Sequence, residues 1–272
     1  MENIRFEEVQ GLLDSGKQPE EVLDYCYRFE GEFRVVKLNN KFNYIDENNK
    51  LLSDTWFDWC DDFQEEFGRI RLNDKYNFIG KNGKLLSETW FDKCWGFYNE
   101  FGVVKLNGKQ NYIKSDGELL SPNQWFDFCW YFHREFGIVV LNKKYNYIDE
   151  DGKLLSPDLW FDYCHIFTSK GVALVQLNNK QNFIDKDNKL LYEQWFDKCG
   201  YINSNLTYVE LDGKKNVLTI GGKLLFDKWL SKLIPLPNFD YVLLKTNDGN
   251  FIYDKTGMLY EQDEYIKTKF KK

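Results

Sequence analysis

Residues 90–124 read WFDKCWGFYNEFGVVKLNGKQNYIKSDGELLSPNQ, a pattern that recurs along nearly the whole chain. Its centre is Phe101-Gly-Val-Val-Lys-Leu106, then Asn107-Gly108, then Lys109-Gln-Asn-Tyr-Ile113. Two short alternating runs joined by Asn-Gly predict a β-hairpin, because a type I′ turn needs positive φ at both central residues. Sister turns carry Asn39-Asn40, Asn73-Asp74, Asn142-Lys143, Asn178-Asn179 and Asp212-Gly213. Apart from Lys143, these residue types tolerate the left-handed region. A second turn follows each hairpin, and one place in it is only Gly or Asn: Asn49, Gly83, Gly117, Gly152, Asn188, Gly222 and Gly257. A position restricted to those two types is set by the backbone rather than by side-chain chemistry. A third short strand of the Lys-Leu-Leu type comes next, as at Leu51-Leu52, Leu85-Leu86 and Leu119-Leu120.

Between hairpins stands the motif Trp-Phe-Asp-x-Cys-x-x-Phe, and its cysteines measure the period. Cys26, Cys60, Cys94, Cys129, Cys164 and Cys199 lie 34, 34, 35, 35 and 35 residues apart. The motif runs from Trp56 to Phe63, Trp90 to Phe97, Trp125 to Phe132 and Trp160 to Phe167, and continues at Trp195 with Ile202 in the last place. Val22-Leu23-Asp24-Tyr25-Cys26 to Phe29 is an earlier copy; Trp229 begins a weaker one with Ser231 and Leu233 for Asp and Cys. The motif allows two local readings. Trp160, Cys164 and Phe167 fall at i, i+4 and i+7 of a helix starting at Ser156-Pro157-Asp158. Alternation instead puts Trp160, Asp162 and Cys164 on one face of a strand with a bulge before Phe167. The strand is favoured, since four short strands in 35 residues make a small blade.

Seven hairpins begin near residues 33, 67, 101, 136, 171, 206 and 239, and seven Trp-Phe-Asp segments near 22, 56, 90, 125, 160, 195 and 229. The chain therefore opens with a segment and closes with a hairpin whose own segment has decayed to Asp263, Glu264 and Lys267. Such complementary ends suit a closed ring. The fold expected is all-β: tandem 34–35-residue hairpin repeats closed as a seven-bladed β-propeller, with an open solenoid-like array, capped by the acidic helix Phe6 to Asp14, as the alternative. Residues 1–21 read as a helical N-terminal extension, 22–262 as one repeat domain and 263–272 as a basic tail.

Composition agrees with this. Aromatic residues make up 18% of the 272 (nine Trp, 17 Tyr and 23 Phe), and Ala173 is the single alanine. Strands favour aromatics and helices favour alanine. The 36 basic and 43 acidic residues leave a net charge of −7, which argues against a nucleic-acid footprint. The acidity is concentrated: residues 1–32 hold nine acidic and three basic side chains. MENIRFEEVQ is not a signal peptide, and no run approaches 18 apolar residues, so neither export nor a membrane span is expected. A cytoplasmic protein follows by default, with non-classical export the alternative.

The order hairpin, Asn-Gly-Lys, aromatic-x-aromatic-Ile-Asp, Asn-Gly-Lys, aromatic-Asp resembles the WG-repeat (KWG) family over residues 33–260. Matching elements include Asn107-Gly108-Lys109, Tyr147-Ile148-Asp149, Gly152-Lys153 and the Glu-Phe-Gly at Glu66, Glu100 and Glu135. The naming Trp-Gly dipeptide is replaced by Phe42-Asn43, Tyr76-Asn77, Gln110-Asn111, Tyr145-Asn146 and Gln181-Asn182, so this looks like a divergent branch. The resemblance implies an interaction module, similar to those of bacteria and gut phages, and brings no catalytic residues with it.

Enzyme motifs are missing: no phosphate loop, no Gly-x-Ser-x-Gly, no His-Glu-x-x-His. No Cys-x-x-Cys pair exists, and cysteines repeated at one place read as small buried residues in a reducing compartment rather than as metal ligands. No cofactor or metal is expected. Repeat symmetry gives Asp24, Asp58, Asp92, Asp127, Asp162 and Asp197 nearly the same environment. Acid/base catalysis needs carboxylates in different ones. They read as acceptors for backbone N–H groups or for a Trp N–H. Trp56, Trp90, Trp125, Trp160 and Trp195, with Cys60, Cys94, Cys129, Cys164 and Cys199, read as structural. Function is then expected where repeats differ. The place after each Cys holds Tyr27, Asp61, Trp95, Trp130, His165 and Gly200. Trp95, Trp130, Tyr131, His133 and His165 are the candidate binding band across three repeats. The expected partner is another protein. Capture of a small polar or nucleotide-like ligand is the alternative.

Overall fold

The computed structural model describes residues 6–27, 32–64, 66–98, 100–237, 241–254 and 256–270. Phe29, the last place of the first motif copy, lies outside them. Among the described residues the fold is all-β apart from three helices: α1 (Phe6–Asp14), α2 (Pro19–Val22) and α3 (Gln262–Phe270). Each of the seven hairpins forms its own antiparallel sheet, six of three strands and the last of four. The chain divides into two units, residues 1–142 with 149–153, and residues 143–148 with 154–272.

The hairpin turns follow from their residue types. Asn107 and Gly108 have φ of 51° and 81°, and every sister pair is positive at both places, Lys143 included at 63°. The flanking strands pair in two-residue-turn register, Leu38 opposite Lys41 and Leu106 opposite Lys109.

The Trp-Phe-Asp segment is extended, as the strand reading expects, and it changes sheet as it goes. Phe57 exchanges two 2.8 Å backbone hydrogen bonds with Phe42 of the hairpin before it. Three residues later Cys60 pairs with Ile70 of the hairpin after it. The two-residue strand x-Cys recurs as Tyr25–Cys26, Phe128–Cys129 and Tyr163–Cys164. The expected bulge is seen in Lys93–Tyr98, between Trp95 and Phe97. Tyr25–Cys26 pairs with Phe33–Leu38, and the seventh sheet has its own segment, Leu233–Pro237. Among the described residues each sheet is therefore assembled from strands consecutive in the chain.

Neighbouring hairpin-strand residues are buried on opposite faces, so the strands read as apolar doublets. In the first unit Val35 and Tyr44 of the first sheet pack with Cys60, Ile70 and Ile79 of the second. Phe78 of the second then packs with Cys94, Val104 and Ile113 of the third. In the second unit Leu174 and Phe183 pack with Cys199, Val209 and Leu218, and Leu206 and Val217 with Leu233, Val242 and Leu244. On the other side of the first sheet α1 supplies Val9 and Leu13 against Val36, Ile45, Leu51 and Trp56. Gln10 Oε1 accepts the Leu51 N–H at 2.8 Å, tying α1 to the sheet. Most of the stretch read as a basic tail is helical: α3 follows the strand Leu259–Glu261, and Tyr265 stacks obliquely on Tyr241 and Tyr260.

The second turn joins successive repeats. Gly83, Gly117, Gly152 and Gly222 all have positive φ. A Cβ there would meet the carbonyl oxygen of Leu52, Leu86, Leu120 or Leu191 of the preceding repeat at 2.3, 2.1, 2.2 or 2.3 Å. The glycine hydrogen points at that carbonyl instead, a Cα–H···O contact. Gly108 in the hairpin turn also has positive φ, yet nothing lies within 4 Å of its Cβ site. Gly108→Ala is therefore expected to cost only the backbone term, about 1–2 kcal/mol. Gly117→Ala adds a backbone clash and is expected to lower the thermal midpoint at least twice as far. Equal losses in the two variants would refute the close-packing role.

Candidate binding surface

The residues that recur in every repeat are engaged in holding it together. Asn43, Asn77, Asn111, Asn146, Asn182 and Asn216 are all fully buried. The Nδ2 of Asn111 donates to Ser121 O at 2.7 Å while its Oδ1 accepts the Tyr112 N–H at 2.8 Å. Asn146 does the same with Ser156 O and Tyr147 N. The amide thus straps the Leu-Leu-Ser loop to its hairpin. In the seventh repeat the equivalent place is Phe251, and the strap is replaced by a regular strand, Leu259–Glu261.

The repeated aspartates join three pieces of chain. Asp92 Oδ2 accepts the Asn107 N–H at 2.7 Å, capping the turn of the following hairpin, while its Oδ1 meets Lys75 of the preceding one. Asp58 with Lys41, Asp127 with Lys109, Asp162 with Lys144 and Asp197 with Lys180 repeat this arrangement. In all five the lysine hydrogen bond holds the carboxyl below its ordinary range, helped by the turn N–H.

The cysteines are free, and Cys60, Cys94, Cys129, Cys164 and Cys199 are buried. Burial pushes the thiols of Cys164 and Cys199 up to about 12, so both stay protonated at neutral pH. Among the described residues no three His, Cys, Asp or Glu side chains lie close enough to hold a metal ion. The Glu-Phe-Gly glycines serve packing too: a Cβ at Gly68 or Gly137 would lie 2.4 or 2.5 Å from the hydroxyl of Tyr44 or Tyr112. The Tyr44 hydroxyl donates to Asp61 O at 2.5 Å, and that of Tyr112 to Trp130 O.

What varies is the pair of residues flanking each buried Cys. Alternation turns both outward: Tyr25 and Tyr27, Trp59 and Asp61, Lys93 and Trp95, Phe128 and Trp130, Tyr163 and His165, Lys198 and Gly200. The residue before Cys is as much part of this surface as the one after it. Sequence reasoning considered only the latter, although simple alternation about a buried Cys identifies both. Phe128 meets Trp130 edge to face at 5.5 Å, and Tyr25 meets Tyr27 at 4.7 Å. At the second motif Arg69 is inserted, 5.6 Å from the Trp59 ring and 3.0 Å (Nε) from Asp61 Oδ2.

Of the five candidate residues, Trp95, Trp130, Tyr131 and His133 lie in the first unit and His165 in the second. Trp130 and Tyr131 are exposed, and Tyr131 packs at 5.6 Å against Tyr98 of the preceding motif. Trp95 is half-buried beneath the Lys93 ammonium, 5.0 Å from its ring. His133 stands at an exposed corner where its backbone bonds that of Phe136. His165 belongs to the second unit, against Tyr163 at 5.1 Å, and partial burial lowers its pKa so that the ring is neutral at pH 7. In the first unit the structure forms two exposed aromatic pairs, Tyr98 with Tyr131 and Phe128 with Trp130.

The family described as WG containing repeat matches residues 44–76, 78–109 and 147–180. The chain carries WG repeats. Each matched window runs from the second hairpin strand through the Trp-Phe-Asp segment into the next hairpin, so the family's unit spans the sheet change described above. In these WG repeats the place of the Gly is taken by the buried Asn strap. No curated protein matches the chain. Among solved structures, Hsv2 of Kluyveromyces lactis shares 8% identity over 86% of this chain and 94% of its own, at a TM-score of 0.33. A eukaryotic initiation factor shares 11% over 87% and 75%, at 0.34. Likeness at that level does not bear on what this chain binds.

The aspartate clamps set an acid limit on stability. A carboxyl with a lowered folded pKa stabilises fully above its ordinary value of about 3.9 and loses that contribution as pH falls through the lowered one. The thermal midpoint is expected to be level from about pH 8 to pH 5 and to fall below about pH 4. Asp127→Asn should start lower at neutral pH and fall less steeply in acid. The same acid slope in the variant would remove the clamps as its cause.

Proposed function

We propose that the chain is a non-catalytic scaffold that binds another protein through Tyr98, Phe128, Trp130 and Tyr131. One observation carries this reading: these side chains, from two successive motifs, are 61, 43, 52 and 47% exposed. Large amphipathic rings held on a rigid sheet are the residue types that dominate protein interfaces, because they cover much area for little lost rotamer entropy. Folding does not require Phe128 and Trp130, since the corresponding places in another repeat hold Lys198 and Gly200. The repeated carboxylates are engaged in ion pairs, which favours binding over acid/base chemistry. Six free thiols fit a reducing compartment, the cytoplasm. No helix among the described residues is long and apolar enough to cross a membrane.

The test is capture from source-cell lysate with wild type, Trp130→Ala/Tyr131→Ala, and Tyr163→Ala as a surface control. A protein held by wild type and the control should be lost at least tenfold with the double variant, at an unchanged thermal midpoint. Proteins recovered equally by all three would overturn the assignment of this surface.

A further inference from the structure

Five aspartates of the repeat each hold a lysine that follows the turn of the preceding hairpin: Lys41, Lys75, Lys109, Lys144 and Lys180. Asp24 is the same residue in the first repeat. Its Oδ2 accepts the Asn39 N–H at 2.6 Å, as its sisters do with their own turns. The chain before it forms helices α1 and α2, and Asp24 Oδ1 has no cationic partner among the described residues. The carboxylate is thus built and oriented like the other five, by the same turn N–H, without the ammonium they hold.

Asp24 also lines a groove of about 460 Å³ with Tyr25, Tyr27, Lys37 and Asn40. Tyr25 and Tyr27 meet edge to face at 4.7 Å and are both exposed. Two phenol rings beside a carboxylate suit an ammonium, which is drawn to ring faces as well as to the anion. Lys37, the one cation in the lining, sits 5.5 Å from the Phe42 ring. The surroundings favour positive charge as well, because residues 1–32 carry nine acidic and three basic side chains.

We propose that this groove receives a lysine side chain of a partner protein, in the place that the chain's own lysines take in later repeats. A second copy of the chain does not offer the matching lysine from its last hairpin, where that position is Gly249. The proposal shares with the scaffold reading the premise of a protein partner, but rests on the first repeat and not on Trp130 or Tyr131.

The probes are the peptide acetyl-Gly-Lys-Gly-amide, its norleucine counterpart and n-butylammonium, each titrated into the full chain and followed by amide NMR shifts of residues 24–27 and 37–40. The lysine peptide is expected to bind weakly but saturably, several-fold more weakly at high salt, with no saturation by the norleucine peptide. Asp24→Asn keeps an oxygen for the Asn39 N–H and should weaken binding at least fivefold with the hairpin shifts unchanged. No saturable shift with the lysine peptide, equal response to norleucine, or unaltered affinity in Asp24→Asn would overturn the proposal. Binding of n-butylammonium as tight as the peptide's would overturn the partner-lysine assignment in favour of a free amine. None of these outcomes touches the capture result at Trp130, so the two readings fail separately.

Discussion

Within three residues the Trp-Phe-Asp-x-Cys segment leaves one sheet and joins the next, and the rest of the repeat answers to that crossing. Phe57 is bonded to the hairpin behind it and Cys60 to the hairpin ahead, so the two sheets are held a fixed short distance apart. The side chain at the Cys position is buried because it sits between the sheets. At Gly83, Gly117, Gly152 and Gly222 the neighbouring Leu carbonyl occupies the space a Cβ would take. The aspartate between Phe and Cys lies where it reaches the lysine behind and the turn ahead together. Each repeat leaves two apolar sheet faces that it cannot bury alone, which is why stacking neighbours supply the core.

This division of labour separates folding from recognition. Buried amides, clamped aspartates and buried thiols recur with little change, and the amides and aspartates have partners inside the protein. The outward pair around each Cys changes, from Lys and Gly at one repeat to Phe and Trp at another. A rigid backbone with a variable row of outward side chains can alter what it binds without disturbing how it folds. At the chain's start the same logic leaves a carboxylate prepared by its turn but without the lysine of an earlier repeat.

The hairpins, their turns and the 34–35-residue period were readable from the sequence because positive φ restricts residue type at single positions. Asn111 and its sisters were equally visible as a repeated residue, but they read as a departure from Trp-Gly. Their role as straps depends on burial and on the loop carbonyl ten residues ahead. The recurring Lys and Asp were both plain, yet their pairing across 17 or 18 residues depends on which hairpin each strand joins. The basic character of residues 263–272 likewise concealed a helix, since α3 is held by Tyr241 and Tyr260 rather than by strong local propensity.

The sequence by itself determined the repeat, its all-β character and the backbone demands of each turn, since these rest on local torsion preferences and on alternation. Only the tertiary structure decided which hairpin each segment joins, that the aspartates clamp lysines of the preceding repeat, and that Trp95 is half-buried while Trp130 and Tyr131 are exposed. Those outcomes depend on distances between residues far apart in the chain. Identical local patterns at Trp95 and Trp130 end in different surroundings because their neighbours, Lys93 in one case and Phe128 in the other, differ in charge and size.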